Sequence, residues 1–210
     1  MSGLKSGIKK RCFILHGFNV WDDGKNTTDK FVGLVRELGY DPIPFDYGWI
    51  GFIGARFFSR NLAKLLASLT SHGDIAIGHS NGCNIINQAV RYGAQFERLL
   101  YVSPALDEST DLGAQVLKCT VLHTHKDWVV RLSRWIPHHP WGRMGAVGYR
   151  GMDSRYHNVD CTNWSFGHSD YFREENVQRL FYHARRALDE NENCDFNVLN
   201  GIKRVCEFGR

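Results

Sequence analysis

Gly78-His79-Ser80-Asn81-Gly82 sets a serine between two glycines, each two residues away. A chain needs small residues at those positions to turn sharply out of a strand into a helix. The turn strains the serine backbone and lifts its hydroxyl off the end of the sheet. The chemistry such a serine can do is nucleophilic attack on a carbonyl. A hydroxyl is a weak nucleophile at neutral pH, so it needs a base beside it and a third group to orient the base. The developing oxyanion needs backbone donors, and the N–H of Asn81, at the start of the next helix, is one. His16-Gly17-Phe18-Asn19 offers a second in the N–H of Phe18, with the Asn19 amide beside it. Alone, the pentapeptide also reads as a Gly-Ser turn before a helix, and the tetrapeptide is weak evidence. Position strengthens both: one closes the first strand of the series and the other the third.

Ten histidines compete for the role of base. His16 and His79 belong to the two motifs. His72 precedes the strand that leads to Ser80, His123 and His125 flank a strand end, and His138 and His139 lie in a Trp- and Pro-rich stretch. His157 comes just before the last strand and His183 lies inside the final helix. His168, in Phe166-Gly167-His168-Ser169-Asp170, sits in the loop between the last strand and the last helix, where a base belongs, and His157 is the next choice. For the orienting acid, Asp127 follows the strand Thr120–Thr124. It can reach an imidazole from the side away from the serine. Asp107, one strand earlier, is its rival; either also reads as a turn residue or a helix cap.

These residues need elements to hold them. Short apolar runs predict strands at Arg11–His16, Asp41–Tyr47, Asp74–His79, Arg98–Ser103, Thr120–Thr124 and Val159–Cys161. Helical periodicity appears over Thr28–Leu38, Ala55–Ser71, Asn81–Tyr92 and Arg173–Leu188. In the second of these, Phe58, Leu62, Leu65, Leu66 and Leu69 share a face. Strands alternating with helices predict an α/β fold, a mostly parallel sheet with helices on both faces. Trp128–Asp153, rich in Trp, Pro, Gly and His, and the tail from Asp189 fit the alternation poorly.

With 210 residues, the chain predicts one domain over 1–210, able to bury roughly 70% of its unfolded surface. Apolar residues at 43% and charged ones at 23% argue against disorder. The +4 charge is dispersed, so no nucleic-acid partner is expected. No stretch approaches the ~20 apolar residues of a membrane span, and the run Cys12–Leu15 is too short for a signal peptide. The expectation is a cytoplasmic protein. Among six cysteines, Cys12, Cys119 and Cys161 lie in strand-like runs and read, with Cys83, as buried thiols. Cys194 and Cys206 could pair in an oxidising compartment.

Together, His16-Gly17-Phe18, Gly78-His79-Ser80-Asn81-Gly82, Asp127-Trp128-Val129-Val130 and Gly167-His168 resemble the α/β-hydrolase superfamily, in particular its small capless lipases and esterases. The resemblance covers Arg11 to Leu188. It implies a minimal α/β-hydrolase fold and the chain order nucleophile, acid, base. Intervals of 47 and 41 residues separate Ser80, Asp127 and His168. The first strand arrives within a dozen residues, so the larger members' N-terminal strand pair is expected to be missing, as in minimal members. Asn81 departs from the larger apolar residue of many lipases, and Trp128–Asp153 is longer than a minimal member needs, which puts the substrate class in question.

The motifs and the resemblance together predict a serine hydrolase of carboxylic esters or thioesters, working through an acyl-enzyme on Ser80. An acyltransferase using the same intermediate, or a non-catalytic binding protein of the same fold, is the alternative. The substrate is expected to be a small ester or acyl compound, with no cofactor. Aromatic residues on loops at the carboxyl ends of strands suit an acyl group: Trp49 and Phe52, then Trp128, Trp135 and Trp141 in a lid-like insert over 128–153. His123-x-His125 with Asp127, extended by His138 and His139, also has the form of a metal cluster. The resemblance already employs Asp127, so no metal is expected.

Overall fold

Six strands, β1 (Arg11–Leu15), β2 (Asp41–Pro44), β3 (Asp74–His79), β4 (Phe96–Val102), β5 (Lys118–His123) and β6 (Tyr156–Asp160), form one sheet in the order β2-β1-β3-β4-β5-β6. Every pairing is parallel. This computed structural model describes residues 10–18, 22, 24–48, 52–133, 135 and 141–189, with 52–57 in backbone only. Trp49, His138, His139, Cys194, Cys206 and the tail beyond Asp189 lie outside the described residues.

The strands are buried on both faces because helices cover both. Phe13, Leu15, Ala76, Leu99, Tyr101, Cys119 and Val121 point to one side. There they meet α2 (Phe52–Leu69) and α3 (Asn81–Arg91). Cys12, Ile14, Ile75, Ile77, Leu100, Val102 and Leu122 alternate with them. These pack on α1 (Phe31–Glu37) and α6 (Glu174–Leu188). Each fully buried aliphatic side chain of this kind is worth about 1.5–3 kcal/mol. β3 lies near the middle of the sheet with all six residues buried, so the residue that follows it stands at the centre of the carboxyl edge.

The expected strands and helices are all present, with ends moved by a few residues. Two differences have physical causes. On α2 the buried seam is Ser59, Ala63 and Leu66 with Leu62 partly covered, while Phe58, Leu65 and Leu69 are exposed. The small residues at 59 and 63 turn toward the body of the molecule, which rotates the seam away from the most apolar stripe. In the segment after Asp127, two short helices appear, α4 (Trp128–Ser133) and α5 (Met144–Val147). From Gly142 the chain packs into the body. A Cβ on Gly142 would meet the Asp107 backbone at 2.4 Å. Thr124 N–H donates to the Gly145 carbonyl at 3.0 Å. Among the described residues, no helix is long and apolar enough to cross a membrane.

Candidate active site

Ser80 sits between β3 and α3 with φ 54° and ψ −118°, a conformation a serine adopts only under constraint. The constraint is close packing. A Cβ on Gly78 would lie 2.8 Å from Ile86 Cδ1 and 2.9 Å from the Cys83 nitrogen. On Gly82 it would lie 2.6 Å from the carbonyl oxygens of both Leu15 and His16. Only glycine lets the helix come that near β3 and β1. Backbone bonds complete the turn: Ser80 N–H donates to the Val102 carbonyl at 3.1 Å, and Ala105 N–H donates to that of Ser80 at 3.2 Å.

The loop after β1 runs alongside. A Cβ on Gly17 would come within 3.2 Å of Ser80 Cβ, so the backbone leading into Phe18 passes next to the serine. Tyr47, just after β2, holds this loop: its hydroxyl donates to the His16 carbonyl at 2.5 Å and lies 3.0 Å from that of Gly17. Its ring also stacks on His16 at 4.0 Å. Asn81 opens α3, where N–H groups have no intrahelical acceptor. Its side-chain oxygen accepts from Trp141 Nε1 at 2.9 Å and from Asn84 Nδ2 at 3.2 Å. The Trp141 ring lies 5.3 Å from that of Phe18.

His168 Nδ1 and Asp127 Oδ2 are 2.7 Å apart, and the carboxylate is buried. The other oxygen, Oδ1, accepts the Val130 N–H at 3.0 Å and so caps α4. Asp127 is therefore both a helix cap and the partner of the imidazole. The Ser103 hydroxyl donates to Oδ2 as well. Ser103 follows β4 with φ 46°, the second non-glycine residue with positive φ among those described. Burial alone would raise the Asp127 pKa, but the bonds from His168, Ser103 and Val130 outweigh it and hold the carboxyl below its usual range. Thr124 Oγ1 donates to the Ser165 carbonyl at 2.8 Å, fastening the acid turn to the histidine loop.

His79 supports His168 from the other side. Its Nε2–H donates to the His168 carbonyl at 3.1 Å, with ring centroids 4.9 Å apart, and Phe172 meets it edge-on. Burial first, then the proximity of His168, depresses its pKa to about 3, so the ring is neutral. The rivals lie elsewhere. Asp107 accepts from Ser109 N–H at 2.9 Å and from the Ser109 hydroxyl, as a turn residue does. His157 is exposed on β6.

Of the expected aromatic residues, Phe52 opens α2, Trp128 and Trp135 are 64% and 75% exposed, and Trp141 is half-buried against Phe18. Tyr47, Ser103, Thr124 and the supporting role of His79 were not legible in the sequence. Each acts through a contact between residues far apart in the chain, and no local spacing marks it.

Solved structures share this architecture at low identity. Alpha/beta hydrolase domain-containing protein 10 from mouse is 13% identical with a TM-score of 0.62, over 89% of this chain and 92% of that one. Lipase B of Aspergillus fumigatus is 13% identical with a TM-score of 0.54, over 90% of this chain and 56% of the lipase. A protein of the alpha/beta hydrolase superfamily from Xanthomonas campestris pv. campestris is 18% identical with a TM-score of 0.52, over 87% and 97%. No protein-family model matches the sequence, and no curated protein sequence does. The likeness is one of fold.

Proposed function

We propose that this chain, whose fold is that of the α/β hydrolases, is a serine hydrolase that cleaves a carboxylic ester or thioester through an acyl-enzyme on Ser80. The observation that supports the reading is the buried Asp127 carboxylate 2.7 Å from His168 Nδ1, together with the bond from His79, the residue before a serine held at φ 54°, to the His168 carbonyl. In this reading His168 Nε2 takes the Ser80 proton as the hydroxyl attacks the carbonyl carbon. Asp127 fixes the tautomer and stabilises the imidazolium. The N–H groups of Phe18 and Asn81 receive the oxyanion. His168 then protonates the leaving alkoxide or thiolate. In the second half it removes a proton from water, whose attack releases the acid and restores Ser80.

The acyl group would lie along Phe18 and Trp141, with Trp49, Phe52, Trp128 and Trp135 as further apolar surface. Exposed tryptophans suit a surface that a substrate covers. The test is a fluorophosphonate probe on the full chain, beside p-nitrophenyl and thioester substrates of graded acyl length. The expected result is one adduct per chain, mapped to Ser80 and absent from Ser80→Ala. Undiminished labelling of Ser80→Ala would overturn the assignment.

A further inference from the structure

At the carboxyl ends of β5 and β6, the parallel register pairs His123 with Asp160. Paired residues of neighbouring strands point to the same face of a sheet. His125, in the turn after β5, folds back over the pair, and its Nε2 lies 3.7 Å from Asp160 Oδ2. One nitrogen of each histidine and one carboxylate oxygen all fall within 4.8 Å of one another. The sequence grouped these histidines with Asp127; the fold assigns Asp127 to His168 and supplies Asp160 in its place.

We propose that His123, His125 and Asp160 bind a divalent transition metal of the zinc class, outside the candidate active site. Two imidazoles and a carboxylate are a donor set that Zn²⁺ accepts, with a fourth position left for water. Zinc–ligand bonds of about 2.0–2.2 Å in a tetrahedron put donor atoms roughly 3.3 Å apart. The 3.7 Å pair is near that already. The wider separations close by side-chain rotation, since the His125 and Asp160 side chains are half-exposed, at 51% and 53%.

His123 is the inner ligand. It is buried, and among the described residues its Nδ1 has no hydrogen-bond partner, an arrangement that costs free energy unless something bonds the ring. The carboxylate is already oriented: Asp160 Oδ1 accepts from Thr162 N–H at 2.9 Å and from its hydroxyl, which leaves Oδ2 for the ion. Thr162 Oγ1 in turn accepts the His125 backbone N–H at 3.0 Å, which holds the turn that carries this histidine. Hydrogen-bonded support of this kind fixes ligands in metal sites. The ion would fasten the end of β6 to the turn that carries Asp127.

The experiment takes the full chain, stripped with a chelator, and titrates it with Zn²⁺ against a chromophoric indicator, then with Co²⁺ as a spectroscopic probe. The expected result is one equivalent per chain, with cobalt ligand-field bands, no thiolate charge-transfer band, and a melting temperature that rises with Zn²⁺. His125→Ala and Asp160→Asn, both at exposed positions that spare the core, should each weaken binding by about 10–100-fold or more and abolish the thermal shift. Asp127→Asn should bind as the parent does. Unchanged affinity in both ligand variants, a thiolate band, loss of binding in Asp127→Asn, or no stoichiometric binding at micromolar Zn²⁺ would each overturn the proposal.

Discussion

Two turns at the carboxyl edge of the sheet are held in different ways. The turn after β3 is held by packing: Gly78 and Gly82 leave no room for a side chain, and Ser80 takes up the strain. The turn after β5 is held by side-chain hydrogen bonds. Asp127 gives one oxygen to Val130 and the other to His168 and Ser103, while Thr124 ties the turn to Ser165. A position fixed by packing tolerates almost no added volume. One fixed by hydrogen bonds tolerates volume but not the loss of a donor or acceptor. The two turns should therefore fail differently, one in stability and the other in catalysis.

The largest effect belongs to the turn after β5. Asp127→Asn keeps the shape and the oxygen that caps α4, but an amide cannot hold the imidazole in the right tautomer. Activity on a p-nitrophenyl ester should fall by on the order of 10⁴ in kcat. Asp107→Asn, changing a carboxylate that bonds Ser109 in its own turn, should stay within a few-fold. Equal losses in the two variants would erase the distinction between them. Next comes the turn after β3. Gly82→Ala drives a Cβ to 2.6 Å from two backbone carbonyls. Overpacking of that kind costs about 1–3 kcal/mol, or several degrees of melting temperature in a chain of this size. A calorimetric scan showing an unchanged transition would mean that the close approach is not rigid.

The difference between the turns also explains what the sequence reveals. Steric demands restrict residue type locally, so Gly78, Ser80 and Gly82 could be read from five letters, and alternating apolar runs located the strands. Asp127 and His168 could be singled out because each stands in a loop that leaves the carboxyl end of a strand. Ser103, Tyr47 and Asp160 could not. Ser103 reaches Asp127 across 24 positions of sequence and Tyr47 reaches His16 across 31, through hydrogen bonds that leave no periodic mark. α4 and α5 went unread because they are only six and four residues long, too short for helical periodicity to show.

His79 links the turn after β3 to the imidazole that the turn after β5 holds, next to Ser80 in sequence and against His168 in space, and it gives the comparison a pH dependence. Its pKa is about 3 in the fold and about 6.5 in an unfolded chain. Between those values the unfolded chain binds a proton that the folded one does not. Its contribution to stability is therefore complete above pH ~6.5 and is lost progressively as the pH falls toward 3. His79→Gln keeps an N–H donor for the His168 carbonyl but has no charge to gain. Urea unfolding between pH 6 and 4 should show a slope shallower by up to about 1.4 kcal/mol per pH unit. His123 and His183, whose pKa values burial also lowers, would keep the remainder of the slope. Identical slopes would mean that His79 is protonated in the folded chain, and its hydrogen bond would need another assignment.

The smallest effect tests where the two modes of support meet. Trp141 packs against Phe18 and donates its indole N–H to the Asn81 side chain, so it touches both residues assigned to the oxyanion. Trp141→Phe keeps an aromatic ring beside Phe18 and removes only the donor. The Asn81 oxygen would still accept from Asn84 Nδ2 at 3.2 Å, so it is not orphaned, and the loss is that of one ordinary hydrogen bond, about 0.5–1.5 kcal/mol. If that bond orients Asn81 for the transition state, the loss appears as a roughly 2- to 10-fold fall in kcat with KM for an acetate ester unchanged. Trp141→Ala also removes the ring, and should raise KM for long acyl esters more than for acetate. The opposite pattern, with both variants several degrees less stable at unaltered kcat and chain-length preference, would make Trp141 a packing residue of the segment that joins α4 to α5. The acyl surface would then have to be sought around Trp49 and Phe52.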